Sequence, residues 1–254
     1  MPQNEMKHIF ILCYGRTGST VVQGLLNRLD GYCIRGERKW VLTGLAKAAG
    51  EAAKAHKEFS PSDRERGERS PHYGISEIDP DQFGKTLANT YTQEMLTPPP
   101  GTSVCGTKDV TMASHLLSES DFRHVVNFVL THFHSSRIIF LTRRAGEVAQ
   151  SGWWAKRDPN DVEDIVAESD RRFTQVCKDH PDRTFHLDYS EFKDSVEGFR
   201  RLLRWLGEPI DEEMLADVAG TKLMHLKNQA APLQNASQGL IGRVGRKIKR
   251  ILKG

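Results

Sequence analysis

The chain has 254 residues, 38% of them hydrophobic and 27% charged, enough to bury a full core in one globular domain with room for a small appendage. A net charge of +3 argues against bulk nucleic-acid binding, so no nucleic-acid partner is expected. The four cysteines form no C-x-x-C pair, and no apolar run approaches the roughly 18 residues of a membrane span, so neither a disulfide framework, a zinc site nor a membrane helix is expected.

The polar start MPQNEMKHIF lacks a signal-peptide pattern, which with the free thiols points to a cytoplasmic location. His8 to Tyr14 (HIFILCY) is a continuous apolar run of strand length, expected to be a buried parallel strand. A glycine-bearing turn follows. Apolar residues at 21, 22, 25, 26 and 29 then give helical periodicity from Thr20 to Leu29, with Ser19 or Thr20 able to cap its start.

Tyr32 to Ile34 reads as a second strand, ending at Arg35-Gly36-Glu37, and Trp40 to Phe59 as an Ala-rich helix. Ser60 to Tyr73 is dense in charge and holds two prolines, so a mobile loop is expected there. Asp79 to Leu96 reads as a helix broken by Pro98-Pro99-Pro100, and Ser103 to Thr107 as a third strand leading to Lys108-Asp109. Asp121 to His134 is helical by pattern, and Arg137 to Thr142 (RIIFLT) is the clearest later strand. Glu147 to Trp154 and Asp161 to Cys177 read as helices, Thr184 to Tyr189 as the last strand, and Val196 to Leu206 as an amphipathic helix stopped by Gly207.

Strands and helices alternate without internal repeats. The expected fold is α/β: a doubly wound, P-loop-type sheet of about five mostly parallel strands flanked by helices. In such sheets ligands bind at the carboxyl ends of the strands, where the informative residues of this sequence fall.

The first of these segments is Gly15-Arg16-Thr17-Gly18-Ser19-Thr20. A strand-to-helix loop presents unpaired N–H groups and the positive end of a helix dipole. Gly15 and Gly18 let the backbone curl around an anion, Ser19 and Thr20 add hydroxyls, and Arg16 adds a forked cation. It is not a Walker A loop: with its second glycine set at Gly18, Cys13 stands for the first glycine and Ser19 for the lysine. It is not G-x-G-x-x-G either, because Arg16-Thr17 separates the glycines. A plain glycine turn would not call for an arginine and two hydroxyls at a helix start.

The second segment is Arg143 to Ser151 (RRAGEVAQS), directly after RIIFLT. An arginine at the strand mouth and a serine about two helical turns on could clamp a second phosphate. Taken alone, the same residues read as a solvated Arg-Arg pair and a helix-surface serine.

Together YGRTGST and RRAGEVAQS resemble the paired signatures of sulfotransferases that use 3′-phosphoadenosine 5′-phosphosulfate, over residues 7 to 215 or so. The late segment FRRLLRWLGEPIDEEML is also similar to that family. The resemblance implies that Gly15, Arg16, Thr17, Gly18, Ser19 and Thr20 bind the 5′-phosphosulfate and that Arg143 and Ser151 bind the 3′-phosphate. Glu37 is similar in position to the general base of the tyrosylprotein-type and some bacterial carbohydrate enzymes. Cys105-Gly106-Thr107-Lys108-Asp109 looks like their Lys-Asp element, whose lysine contacts the transferring group. The histidine base and the late G-x-x-G-x-x-K-type motif of the small-molecule cytosolic enzymes have no counterpart, and residues 220 to 254 do not supply the latter.

The implied chemistry is in-line attack by an acceptor hydroxyl or amine on sulfur, with Glu37 taking the proton and Arg16 and Lys108 stabilising charge. Positioning and electrostatics carry such a reaction, and no metal is called for. A small-molecule, glycan, lipid or peptide acceptor would suit, with residues 40 to 100 as its side of the site. From the residues alone, Glu37 reads as a helix N-terminal glutamate favoured by the dipole, and Lys108 could be an exposed strand-end lysine paired with Asp109. Trp153 and Trp154 could flank a pocket or divide between core and surface. His124, His132 and His134 lack the carboxylate or cysteine that would complete a metal set. The basic tail 240–254 could touch a membrane surface peripherally or be a solvated end. Two competing functions are an atypical kinase, which lacks the Walker lysine, and a non-catalytic binding homologue.

Overall fold

The computed structural model describes residues 6–229, so the basic tail lies outside the described residues. The chain builds a five-stranded, all-parallel sheet in the order β2-β3-β1-β4-β5, flanked by helices on both faces. β1 (Lys7–Cys13) is central, between β3 (Val104–Asp109) and β4 (Arg137–Thr142). Its side chains after Lys7 are buried on both faces, which is why the run carries no polar alternation. β2 (Tyr32–Arg35) and β5 (Thr184–Asp188) form the edges.

Alternate residues of β1 feed two cores. Phe10 and Leu12 join the core under α2 (Val41–Arg66), α3 (Pro80–Thr90), α4 (Glu119–His132) and α6 (Pro159–Asp179). Ile9, Ile11 and Cys13 join the core under α1 (Ser19–Leu26), α8 (Glu197–Leu206) and α9 (Glu212–Gln229). The short α5 (Ala145–Ala149) and α7 (Ser190–Lys193) follow β4 and β5. The chain winds from β1 toward β2 and β3 on one side, then crosses to β4 on the other. β1 and β4 therefore flank the point where the winding reverses, the usual place for a ligand crevice.

Several helix boundaries follow ordinary capping. Asp79 accepts hydrogen bonds from the N–H groups of Asp81 and Gln82, both at 3.0 Å, with Pro80 at the first helical position. Ser118 caps α4 and Asp158, followed by Pro159, caps α6. Gly207 closes α8 in the left-handed region at φ 80°.

Three expectations are corrected. Ser60 to Tyr73 is not a loop throughout: α2 continues through Pro61 to Arg66. The charge in this stretch lies largely on a solvated helix face, and the segment beyond is tied back. Asp63 is buried and its Oδ2 accepts from the Ser76 N–H at 3.0 Å and hydroxyl at 2.7 Å, while Phe59 stacks on His72. The helix from Asp79 gives way after Thr90 to a π-helical turn, Tyr91–Leu96. The expected helix Glu147 to Trp154 is two pieces, α5 and the 3-10 turn Gly152–Lys156, broken at Gln150-Ser151.

Candidate active site

The loop after β1 starts α1 in an unexpected way. Neither Ser19 nor Thr20 caps the helix. Gly18 takes that position in the left-handed region at φ 81°, with no side-chain cap. Among the described residues the backbone N–H groups of Thr17, Gly18, Ser19 and Thr20 have no backbone acceptor, and they lie at the N-terminus of α1. Such a cradle suits a phosphate or sulfate group. Arg16 is left-handed too, at φ 76°, a strained conformation for a non-glycine residue. Thr17 is buried and donates back to the Tyr14 carbonyl at 3.4 Å, so it shapes the loop from within. Ser19 is buried and Thr20 exposed.

Packing explains both loop glycines. A Cβ at Gly15 would lie 2.2 Å from Cζ2 of Trp153, and one at Gly18 would lie 2.9 Å from the rings of Phe192 and Tyr189. Trp153 thus lies against the loop while 56% exposed, and its neighbour Trp154 is buried in the core.

Arg16, Arg143 and Ser151 come together. Arg16 Nε donates to Ser151 Oγ at 2.7 Å, and Arg143 Nη1 donates to the Arg16 carbonyl at 2.9 Å. Arg143 also donates to Glu147 at 2.9 Å and stacks over Tyr189, 4.1 Å from the ring centre. Ser151 sits in the break after α5, not on a helix; the break turns its hydroxyl toward the loop.

Glu37 and Lys108 form the second group. Lys108 Nζ donates to Glu37 Oε1 at 2.5 Å. Lys108 is therefore neither exposed nor paired with Asp109. Successive strand residues face opposite ways: Asp109 is buried on the other face, where it accepts from the Thr111 N–H and hydroxyl at 2.9 and 2.7 Å. Burial pushes the Asp109 carboxyl above its ordinary pKa. Lys108 stands one strand over from Ile11, close enough to affect the Cys13 thiol, which burial raises to about 11.

The segment carrying Glu37 is pinned on several sides. Ile34 donates its N–H to Asn27 Oδ1 at 2.6 Å, and its carbonyl accepts from Asn27 and Gln23, so side chains of α1 and the residue just after it cover the sheet edge. Arg35 donates to the Leu96 and Thr97 carbonyls at 2.8 and 2.7 Å, Arg38 to the Met95 carbonyl at 2.9 Å, and Thr107 to the Gly36 carbonyl at 2.9 Å.

The histidines have structural positions. His124 packs against Gly50 of α2 and His132 against Gly84 of α3, where glycine makes room for the rings. Groups of three or more potential metal ligands are absent among the described residues.

Tyr14, Tyr189 and Asp170 were not singled out from the sequence. Tyr14 and Tyr189 read there as the ends of apolar strands, and Asp170 as one charge among many on α6. A polar aromatic at the mouth of a central strand was the available signal.

No family model matches the chain, and no curated protein matches it in sequence. Among solved structures it is similar to the crystal structure of the sulfotransferase STF9 from Mycobacterium avium. The two are 15% identical, the match covers 87% of this chain and 68% of that one, and the TM-score is 0.42. The side chains of the site, rather than this likeness, carry the functional reading below.

Proposed function

We propose that the chain transfers a sulfonate group from 3′-phosphoadenosine 5′-phosphosulfate to a hydroxyl or amine of an acceptor. The observation that carries the reading is the pairing of Glu37 with the buried Lys108, next to a phosphate cradle in which Arg16 bridges Arg143 and Ser151. A mere binding loop requires no carboxylate and ammonium held beside it.

In this reading the cradle of Gly15 to Thr20 takes the 5′-phosphosulfate, and Arg143 and Ser151 take the 3′-phosphate. The acceptor oxygen or nitrogen forms a bond to sulfur as the bond from sulfur to the bridging phosphate oxygen breaks. The leaving adenosine 3′,5′-bisphosphate keeps that electron pair. Glu37 takes the acceptor's proton, and Lys108 and Arg16 offset the charge on the bridging and sulfonyl oxygens. Lys108 then exchanges Glu37 for the donor, which frees the carboxylate as a base. These cations are side chains, so transfer is expected to survive chelating agents. The segment 40–100, which contributes α2 and α3, is proposed as the acceptor side.

The test is transfer from labelled donor against a cell extract, with labelled products identified by mass spectrometry, beside direct binding of adenosine 3′,5′-bisphosphate and of magnesium–ATP. Binding of the bisphosphate with donor-dependent product supports the reading. Tight binding of magnesium–ATP alone would replace it with a kinase. Bisphosphate binding without any product would leave a non-catalytic homologue.

A further inference from the structure

Tyr14 is fully buried at the mouth of the central strand, one residue before the loop. Its hydroxyl makes two bonds to the same distant residue: it donates to the Arg143 carbonyl at 3.0 Å and accepts from the Arg143 N–H at 2.9 Å. A buried tyrosine needs a partner for its hydroxyl, but one carbonyl would suffice. Gripping the N–H and the carbonyl of one residue, which belong to the peptide groups on either side of its Cα, fixes the backbone of Arg143 relative to the end of β1. Phe173 stacks on the Tyr14 ring and holds it from the side of α6.

This grip sits across the point where the winding of the sheet reverses. β1 and β4 pair as far as Cys13 and Leu141, and beyond that the two chains diverge to make a crevice. Besides Tyr14, what holds Arg143 as it leaves β4 is the bond from the Tyr189 N–H to the Thr142 carbonyl at 2.9 Å, one residue earlier, and the contacts of its own guanidinium. Those guanidinium contacts, to the Arg16 carbonyl, Glu147 and the Tyr189 ring, are the ones a bound anion would disturb. Of Arg143, Tyr14 holds the backbone and not the guanidinium, so it can hold the residue whatever that side chain binds; the same hydroxyl also neighbours the Asp170 carboxyl of α6.

We infer that Tyr14 is a positioning residue: its hydroxyl sets Arg143 so that the site distinguishes a ligand bearing a 3′-phosphate from one without it. The inference rests on the proposed donor and deepens it. Tyr14 touches no ligand and acts through Arg143.

The test compares Tyr14→Phe with the wild-type protein in binding of adenosine 3′,5′-bisphosphate and of adenosine 5′-phosphate. The wild-type ratio of the two affinities is expected to fall by about tenfold in the variant, mainly through loss of bisphosphate affinity. A purely structural role would weaken both ligands alike. Arg143→Gln should lower the ratio similarly, and adding Tyr14→Phe to it should change the ratio little further. 4-Aminophenylalanine at this position, which can donate and accept as the phenol does, should restore it. If Tyr14→Phe does not fold, 4-fluorophenylalanine fills the same volume without donating and is expected to give the same loss. An unchanged ratio in the folded variant, or additive effects with Arg143→Gln, overturns the inference. A wild-type protein that binds neither nucleotide overturns instead the donor assignment on which it rests.

Discussion

Lys108 Nζ donates to Glu37 Oε1 across 2.5 Å, and the two ends of that bond are unequally buried: the lysine side chain is 8% exposed and the glutamate 45%. Water can solvate Glu37 without Lys108, but not Lys108 without Glu37. Removing the carboxylate therefore strands a buried ammonium, at about 1–3 kcal/mol. Removing the lysine leaves a carboxylate that water solvates, at about 1 kcal/mol or less for the lost pair. Glu37→Ala is thus expected to be less stable than Lys108→Met in denaturant melts. Glu37→Gln is expected to keep bisphosphate affinity while lowering the rate of transfer about 10²–10⁴-fold. A stability order reversed from this would show that burial of the lysine does not control the pair. Full transfer by Glu37→Gln would remove Glu37 as the base.

Trp153 and Gly15 give a second expectation. A Cβ at Gly15 collides with Trp153, but that ring is 56% exposed and can swing into solvent. Gly15→Ala should therefore cost little stability, about 1 kcal/mol or less, while moving Trp153 to a wetter setting. Gly18→Ala meets two buried aromatic rings and must also adopt a φ of +81°, so about 2 kcal/mol or more is expected. Tryptophan fluorescence and melting of the two variants check both halves. If Gly15→Ala is the costlier, Trp153 is not free to yield.

Much of this was legible in the sequence for a physical reason: buried parallel strands are continuous apolar runs, and HIFILCY and RIIFLT can be little else. The strand-to-helix turn was legible because two glycines between an apolar run and a helical periodicity mark one. The π-helical turn was not, because it comes from tertiary packing. The break at Ser151 carried a local signal, Gly152, which adopts φ 60° where the 3-10 turn begins and which a helix read from Glu147 to Trp154 passes over. α2 was read too short because proline and dense charge are loop signals taken alone; Asp63 and Ser76, which tie the segment back, are thirteen residues apart. Glu37 and Lys108 were each singled out, but their pairing could not be, since it depends on the register that sets β2 beside β3.

Asp170 yields the last expectation. It lies on α6 in a groove lined also by Arg143, Arg144, Glu163 and Asp188. Its Oδ1 is buried without a partner among the described residues. Burial, with a smaller contribution from the charge of Asp188, pushes its carboxyl up to about 7, while the neighbouring Tyr14 hydroxyl pulls the other way. In the unfolded chain it would titrate near 4. Between those values the folded protein holds a proton that the unfolded chain has released, so raising the pH across this window costs stability. Above 7 the folded state carries a poorly solvated carboxylate; below 4 both states are protonated and the cost vanishes. Asp170→Asn mimics the neutral acid at every pH. It is expected to gain about 2 kcal/mol over the wild type at pH 8, after allowance for the part of the carboxyl that water reaches, and almost nothing at pH 4. The other charges of the groove are common to both proteins and largely cancel in the difference. Melts at a series of pH values check this, and a gain that is the same at both ends would mean that Asp170 does not titrate in this window.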